Sequence, residues 1–148
     1  MAAYNKFEAF VEHLCDKVHD LFGTAGADLV KIYLSNAAPS ASLDAVKADL
    51  AEISAGNGYT AGGEDIQNDG TRSGGTFTLT GTSVLITASG GTIGPFQYVV
   101  GYNDTPTSPA DPLIGWWDRG AALTLQDGES FRWKPNNSVT TGTVFTLA

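Results

Sequence analysis

Asp65, Gln67 and Asp69 alternate along the chain, and Gly70 stands five places after Asp65. This spacing imitates the first half of an EF-hand loop, where alternate oxygens close on calcium and a glycine makes the sharp turn. The imitation stops at the twelfth position: a bidentate glutamate is required there, and the residue is Thr76. Glu64, Asp65 and Asp69 then offer no more than a weak cation site, and an exposed acidic turn needs the same residues. Gly56, Gly58, Gly62 and Gly63 do not form a phosphate cradle, because no lysine follows them and no strand-then-helix pattern surrounds them. They read as turn glycines that permit positive φ or close chain approach. The stretch 56–75 is expected to be an exposed, acidic, glycine-rich connector.

His13 and His19 are six positions apart, which on one helix sets them about 120° apart, too far round to share a metal. Cys15 and His19 have the spacing of a thiol and its base on one helix side. Their flank is acidic, which disfavours a thiolate, and no third group is evident to orient the base. Asp118 with Asp127 and Glu129 supplies the residue types of a glycosidase pair, and surface turns use the same types. These patterns assign no catalytic residue, no cofactor-binding residue and no metal ligand. The chain is expected not to be an enzyme and to need no cofactor.

"GWWDRG" places Trp116, Trp117, Asp118 and Arg119 together. Neighbouring residues of a strand face opposite ways. One tryptophan therefore faces the core, and the other faces out, a helix or a neighbour. An outward ring suits an interface anchor or a sugar platform.

These residues need elements to position them. "YNKFEAFVEHLCDKVHDLF" has helical period, with Phe7, Phe10, Val11, Leu14, Val18, Leu21 and Phe22 on one stripe. Asn5 is the expected cap with Glu8 as its capping-box partner, and Gly23 and Gly26 are the expected stops. "DLVKIYLS" alternates as a strand, and Ser42–Ser54 has the spacing of a short helix with Val46, Leu50 and Ile53 inward. After Gly75 come seven strand-like pieces, "TFTLTG", "SVLITASG", "FQYVVGYN", "LIGWWD", "AALTLQ", "ESFRWKP" and "TVFTLA". "LTLQDGESFRW" reads as a hairpin turning at Asp127-Gly128, with Leu123, Leu125, Phe131 and Trp133 inward. "YNDTPTSPADP" reads as a rigid exposed loop. The expected fold is mainly β: an antiparallel sandwich or jelly-roll-like domain with an N-terminal amphipathic helix. Residues 1–26 form the helical part, packed on the body or on a neighbour, and 27–148 form the β-rich domain.

At 148 residues and 42% hydrophobic, the chain suffices for one domain with its own core. Sixteen acids against eight bases give a net charge of −8, so no broad basic footprint for nucleic acid exists and anionic membranes are disfavoured. Arg119, Arg132 and Lys134 still form a candidate local patch. The single cysteine rules out an internal disulfide. No segment has the roughly 18 apolar residues of a spanning helix, and no signal peptide is expected.

"NKFEAFVEHL", "AEISAGNGYTAGG", "SVLITASGGTIGPFQYVVGYND", "PLIGWWDRG" and "LTLQDGESF" together resemble small structural proteins of tailed bacteriophages. The resemblance covers nearly all the chain, from Asn5 to Leu147. It implies a non-enzymatic virion component, made in the bacterial host cytoplasm and built into the particle. The leading placement is a capsid decoration, or cement, protein that clamps neighbouring capsid subunits, often as a homo-oligomer. A neck, tail or baseplate protein is the second placement, and a module binding host surface glycans the third. The implied partners are the major capsid protein or neck and tail proteins, with no direct nucleic acid and no membrane. Candidate contact residues are Phe7, Phe10, Tyr59, Tyr102, Trp116, Trp117, Arg119, Arg132 and Lys134.

Overall fold

The computed structural model describes residues 2–23 and 27–148. Its elements are β1 (Asn5–Lys6), α1 (Glu8–Cys15), β2 (Val30–Ser35), β3 (Glu64–Asp65), β4 (Asp69–Ser73), β5 (Thr76–Thr82), β6 (Val84–Thr87), β7 (Ile93–Asn103), β8 (Leu113–Leu125), β9 (Ser130–Trp133) and β10 (Thr141–Leu147). The fold is mainly β, with antiparallel sheets and one short N-terminal helix. A five-stranded sheet runs β1-β8-β7-β2-β3, a three-stranded sheet β10-β5-β4, and β6 pairs with β9.

The helical stripe is real only at its start. Asn5 does not cap α1: it pairs with Trp116 in β8, and its side-chain amide donates to the carbonyls of Ala3 and Trp116. Phe7 takes the cap position without a side-chain cap. The helix stops after two turns because Lys17 adopts φ +61°. The Val18 N–H then reaches back to the His13 carbonyl at 2.9 Å and the Lys17 N–H to that of Leu14 at 3.4 Å. This is the Schellman closure, with lysine where glycine is usual. Val18, Leu21 and Phe22 therefore leave the helix. Leu21 is still buried, but Phe22 is 61% exposed. Gly23 makes an isolated bridge with Gly70 rather than ending the helix, and Gly26 lies outside the described residues. Phe7 and Phe10 are both 0% exposed, so the helix seals onto its own body.

β2 forms where its alternation predicts, but both its faces are buried. Val30, Ile32 and Leu34 join Val99, Trp117, Leu79, Ile86, Trp133 and Phe145 in the larger core, which the smaller sheets cover. Tyr33 points the other way, to Val100, Tyr102, Leu113, Phe7 and Leu50. A bulge between the Gly101 and Tyr102 pairings lets Ile114 join the larger core while Leu113 stays with the second.

The second core is closed by a segment expected to be helical. Ser42–Ser54 is instead irregular, with a turn at 41–43 and a short 3-10 turn at Lys47–Asp49. Its backbone docks along 111–113: the Leu113 N–H donates to Ala45 and the Lys47 N–H to Asp111. The Asp49 carboxylate accepts from the N–H groups of Ala45 and Val46, each at 3.0 Å. This docking delivers Leu50 to the core at 3% exposure. Tertiary contact overrides a weak local propensity.

The glycine-rich stretch is exposed over much of its length, but it is anchored at several points. Ile66 and Tyr59 are buried, β3 edges β2, and β4 pairs with β5. Gly63 shows why glycine is there: at φ +71°, a Cβ would overlap the Ile32 carbonyl oxygen. The expected hairpin is also overturned. "LIGWWD" and "AALTLQ" are one strand, β8, which pairs with β7, whereas β9 pairs with β6. The Asp127-Gly128 turn is tied elsewhere: the Gly128 N–H donates to Ala88 and the Gly90 N–H to the Asp127 carboxylate. The turn thus carries the chain from one sheet to another. Finally, Tyr102 and Asn103 belong to β7 and are buried, so the proline-bearing loop begins after them.

Candidate binding groove

β8 makes a detour within its pairing to β7. Asp118 lies opposite Tyr98 and Leu123 opposite Phe96, so residues 119–122 face Gln97 alone. Bulges of this kind re-aim side chains, and here the re-aimed one is Arg119. The detour holds itself together. The Asp118 carboxylate accepts from the Gly120 N–H at 2.7 Å and from Gln97 Nε2 at 2.9 Å. These bonds, that of Gln97 first, hold the Asp118 carboxyl below the usual range. Arg119 Nη1 donates to the Ala121 carbonyl at 2.7 Å.

The Arg119 guanidinium sits 5.8 Å from the ring centres of both Phe96 and Phe131, within cation–π range. Those two rings meet edge to face at 5.1 Å. Beside them runs a groove of about 320 Å³ lined by Ala2, Val99, Trp117, Asp118, Arg119, Phe131, Arg132 and Trp133. Arg132 Nη1 donates to Ser83 Oγ at 3.1 Å. Trp133 stands edge to face with Trp117 at 5.0 Å and is 1% exposed. Its Nε1–H is buried and has no acceptor among the described residues. A larger hollow of about 500 Å³ adjoins at Ala2 and Trp117, but its lining carries no charged side chain.

The nine candidate contact residues divide. Phe7, Phe10, Tyr59 and Tyr102 are core residues at 3% exposure or less, because β2 and β7 bury side chains on both faces. Tyr59 Oη donates to Glu52 at 2.7 Å, and Tyr102 Oη donates to the Gly62 carbonyl at 2.7 Å. Trp117 is 5% exposed, and half-buried Trp116 leans on Phe7 at 4.6 Å between ring centres. They do face opposite cores. The structure brings Trp117, Arg119 and Arg132 into one groove; Lys134 lies one residue past β9 and does not line it. Sequence reasoning placed Phe131 and Trp133 in the core and missed their share in the groove. Their alternation within β9 was the available signal.

The other chemical candidates are dispersed or self-satisfied. Asp127 and Glu129 accept from the N–H groups of Gly90 and Gln126. Asp65 accepts from the Gln67 N–H, and no helices flank that turn. Cys15 is exposed. His13 and His19 are not on one helix: the turn at Lys17 brings their ring centres to 5.9 Å. Among the described residues, no group of three or more His, Cys, Asp or Glu is placed to hold a metal. No helix in the described residues is long and apolar enough to cross a membrane. Comparison of the chain with family models, curated proteins and solved structures finds no match.

Proposed function

We propose that the chain is a non-enzymatic structural protein of a tailed-phage virion, a decoration protein that binds neighbouring capsid subunits and stabilises the head. The observation that carries this reading is the groove, in which Arg119 and Arg132 stand beside Trp117, Phe131 and Trp133 on a strand-built body. Arginine and aromatic side chains are the residue types that anchor protein partners. The resemblance of five phrases, spread from Asn5 onward, to phage structural proteins supports the virion setting. A sandwich with both faces of its central sheet covered offers a built body for a clamp.

The test is assembly. Purified protein added to empty expanded capsids is expected to bind in hundreds of copies and raise the temperature at which they burst. Incorporation at a single ring's worth of copies places the protein at the neck or tail instead. No incorporation overturns the virion reading. The glycan reading rests on Trp116, the outward tryptophan of the pair, which is half-buried with its ring leaning on Phe7.

A further inference from the structure

We propose that the groove is a carboxylate site that takes a glutamate or aspartate side chain from an extended acidic segment of a protein partner. This deepens the reading of the chain as a clamp and rests on it. Arg119 and Arg132 are both among the residues that line the groove, and each spends one nitrogen on a neutral oxygen, Ala121 for Arg119 and Ser83 for Arg132. A guanidinium has five N–H donors, so both keep donors in reserve. Among the described residues, the ion pairs are Lys31–Asp104 and Lys47–Glu52, and neither arginine takes part in one.

The third donor is the Trp133 indole N–H. It is buried without an acceptor at a residue 1% exposed, and that residue lines the same groove. Buried donors are nearly always paired, so an orphan marks a place where a partner is missing. A carboxylate meets this demand: it accepts at both oxygens and matches the fork of an arginine. Asp118 also lines the groove, but its carboxylate is engaged by Gln97 and Gly120. Two cations against this one anion leave the lining net positive on a chain of net charge −8. Ala2 and Phe131, both half-buried, supply apolar surface for the neighbouring methylenes of a peptide. A sugar acid shares the carboxylate but also needs an open ring face. Trp117 and Trp133 are 5% and 1% exposed, and Arg119 lies near the rings of Phe96 and Phe131.

The test uses the full chain, nitrogen-labelled, titrated with three probes: Ac-Glu-Leu-Glu-Leu-Glu-amide, its all-glutamine counterpart, and methyl glucuronide. The glutamate peptide is expected to shift the Trp133 indole N–H and the Arg119 and Arg132 Nε–H signals saturably, and to bind more weakly as salt rises. The glutamine peptide should leave those signals in place. Arg119→Gln and Arg132→Gln are each expected to weaken binding about tenfold, and Trp133→Phe about fivefold. The two arginines are exposed, so their variants keep the test valid if Trp133→Phe fails to fold. Equal shifts with the glutamine peptide, shifts with glucuronide alone, or no shifts at all would overturn the proposal. Peptide binding without capsid incorporation overturns the virion reading only. Incorporation that survives loss of both arginines overturns the groove only.

Discussion

His19 Nδ1 accepts a hydrogen bond from the side-chain amide of Asn103 across 3.0 Å, joining the end of the N-terminal arm to the end of β7. The direction of this bond is set by its neighbours. Asn103 Oδ1 accepts from the Thr105 N–H, which leaves its amide to donate to both His19 and Asp28. Burial, and then His13, lowers the pKa of His19 to about 4, while Asp28 pulls the other way.

An acid-side loss of stability follows. An unfolded histidine takes a proton near pH 6.5, whereas the folded one resists until about 4. The contribution of His19 is therefore fully present above pH 6.5 and is lost as pH falls through that window. The size is up to about 3 kcal/mol. His19→Asn keeps an acceptor for Asn103 and cannot titrate. Denaturant unfolding of both proteins at intervals from pH 7.5 to 4 should show the wild type losing about 2–3 kcal/mol more than the variant. Parallel curves would refute this role.

Lys17 closes α1 in the left-handed region at φ +61°. A side chain there costs about 1–2 kcal/mol, which glycine avoids. Lys17→Gly is expected to raise stability by about 0.5–1 kcal/mol, allowing for the greater freedom of an unfolded glycine. A lowered thermal midpoint would contradict the Schellman closure.

Tyr59 Oη is a relay between β2 and the segment that follows it. It accepts from the Leu34 N–H at 3.0 Å and donates to Glu52 Oε1 at 2.7 Å. Burial, foremost, pushes its phenol far above the usual range. Tyr59→Phe leaves a buried backbone N–H without its acceptor, so the expected loss is about 1–3 kcal/mol. Amide exchange at Leu34 should accelerate in the variant, and unchanged exchange would count against the relay.

Gly63 and Gly74 both have positive φ, +71° and +57°. Only Gly63 abuts backbone; a Cβ at Gly74 meets nothing within 4 Å. Gly74→Ala is expected to cost about 1 kcal/mol from conformation alone. Gly63→Ala must also displace β2, and the loss should exceed about 3 kcal/mol. Equal midpoints for the two variants would disprove the close approach.

The strands were legible in the sequence because period-2 alternation is a local property. Pairing was not. Asp127-Gly128 announces a tight turn, but nothing local says that the Gly128 N–H bonds back to Ala88 and that the Asp127 carboxylate accepts from the Gly90 N–H. The helix was overextended because Val18, Leu21 and Phe22 keep the apolar period after the backbone has reversed at Lys17, and lysine gives no signal of positive φ. Buried Ile66 and Tyr59 were lost among glycines that looked like slack. Arg119 and Arg132 were legible as charges. Their meeting was not, because it depends on a detour in β8 that sets residues 119–122 against Gln97 alone.

Asn5 pairs with Trp116. On the ribosome, residues 5 and 6 therefore wait for about 110 further residues to be translated before their partner strand emerges. Until then Phe7 and Phe10 have no β8 to cover them, and closing so long a loop is slow. The nascent chain must pass through a period of exposed aromatic surface that the finished protein hides completely, and crowding by chaperones or sister chains acts on that interval.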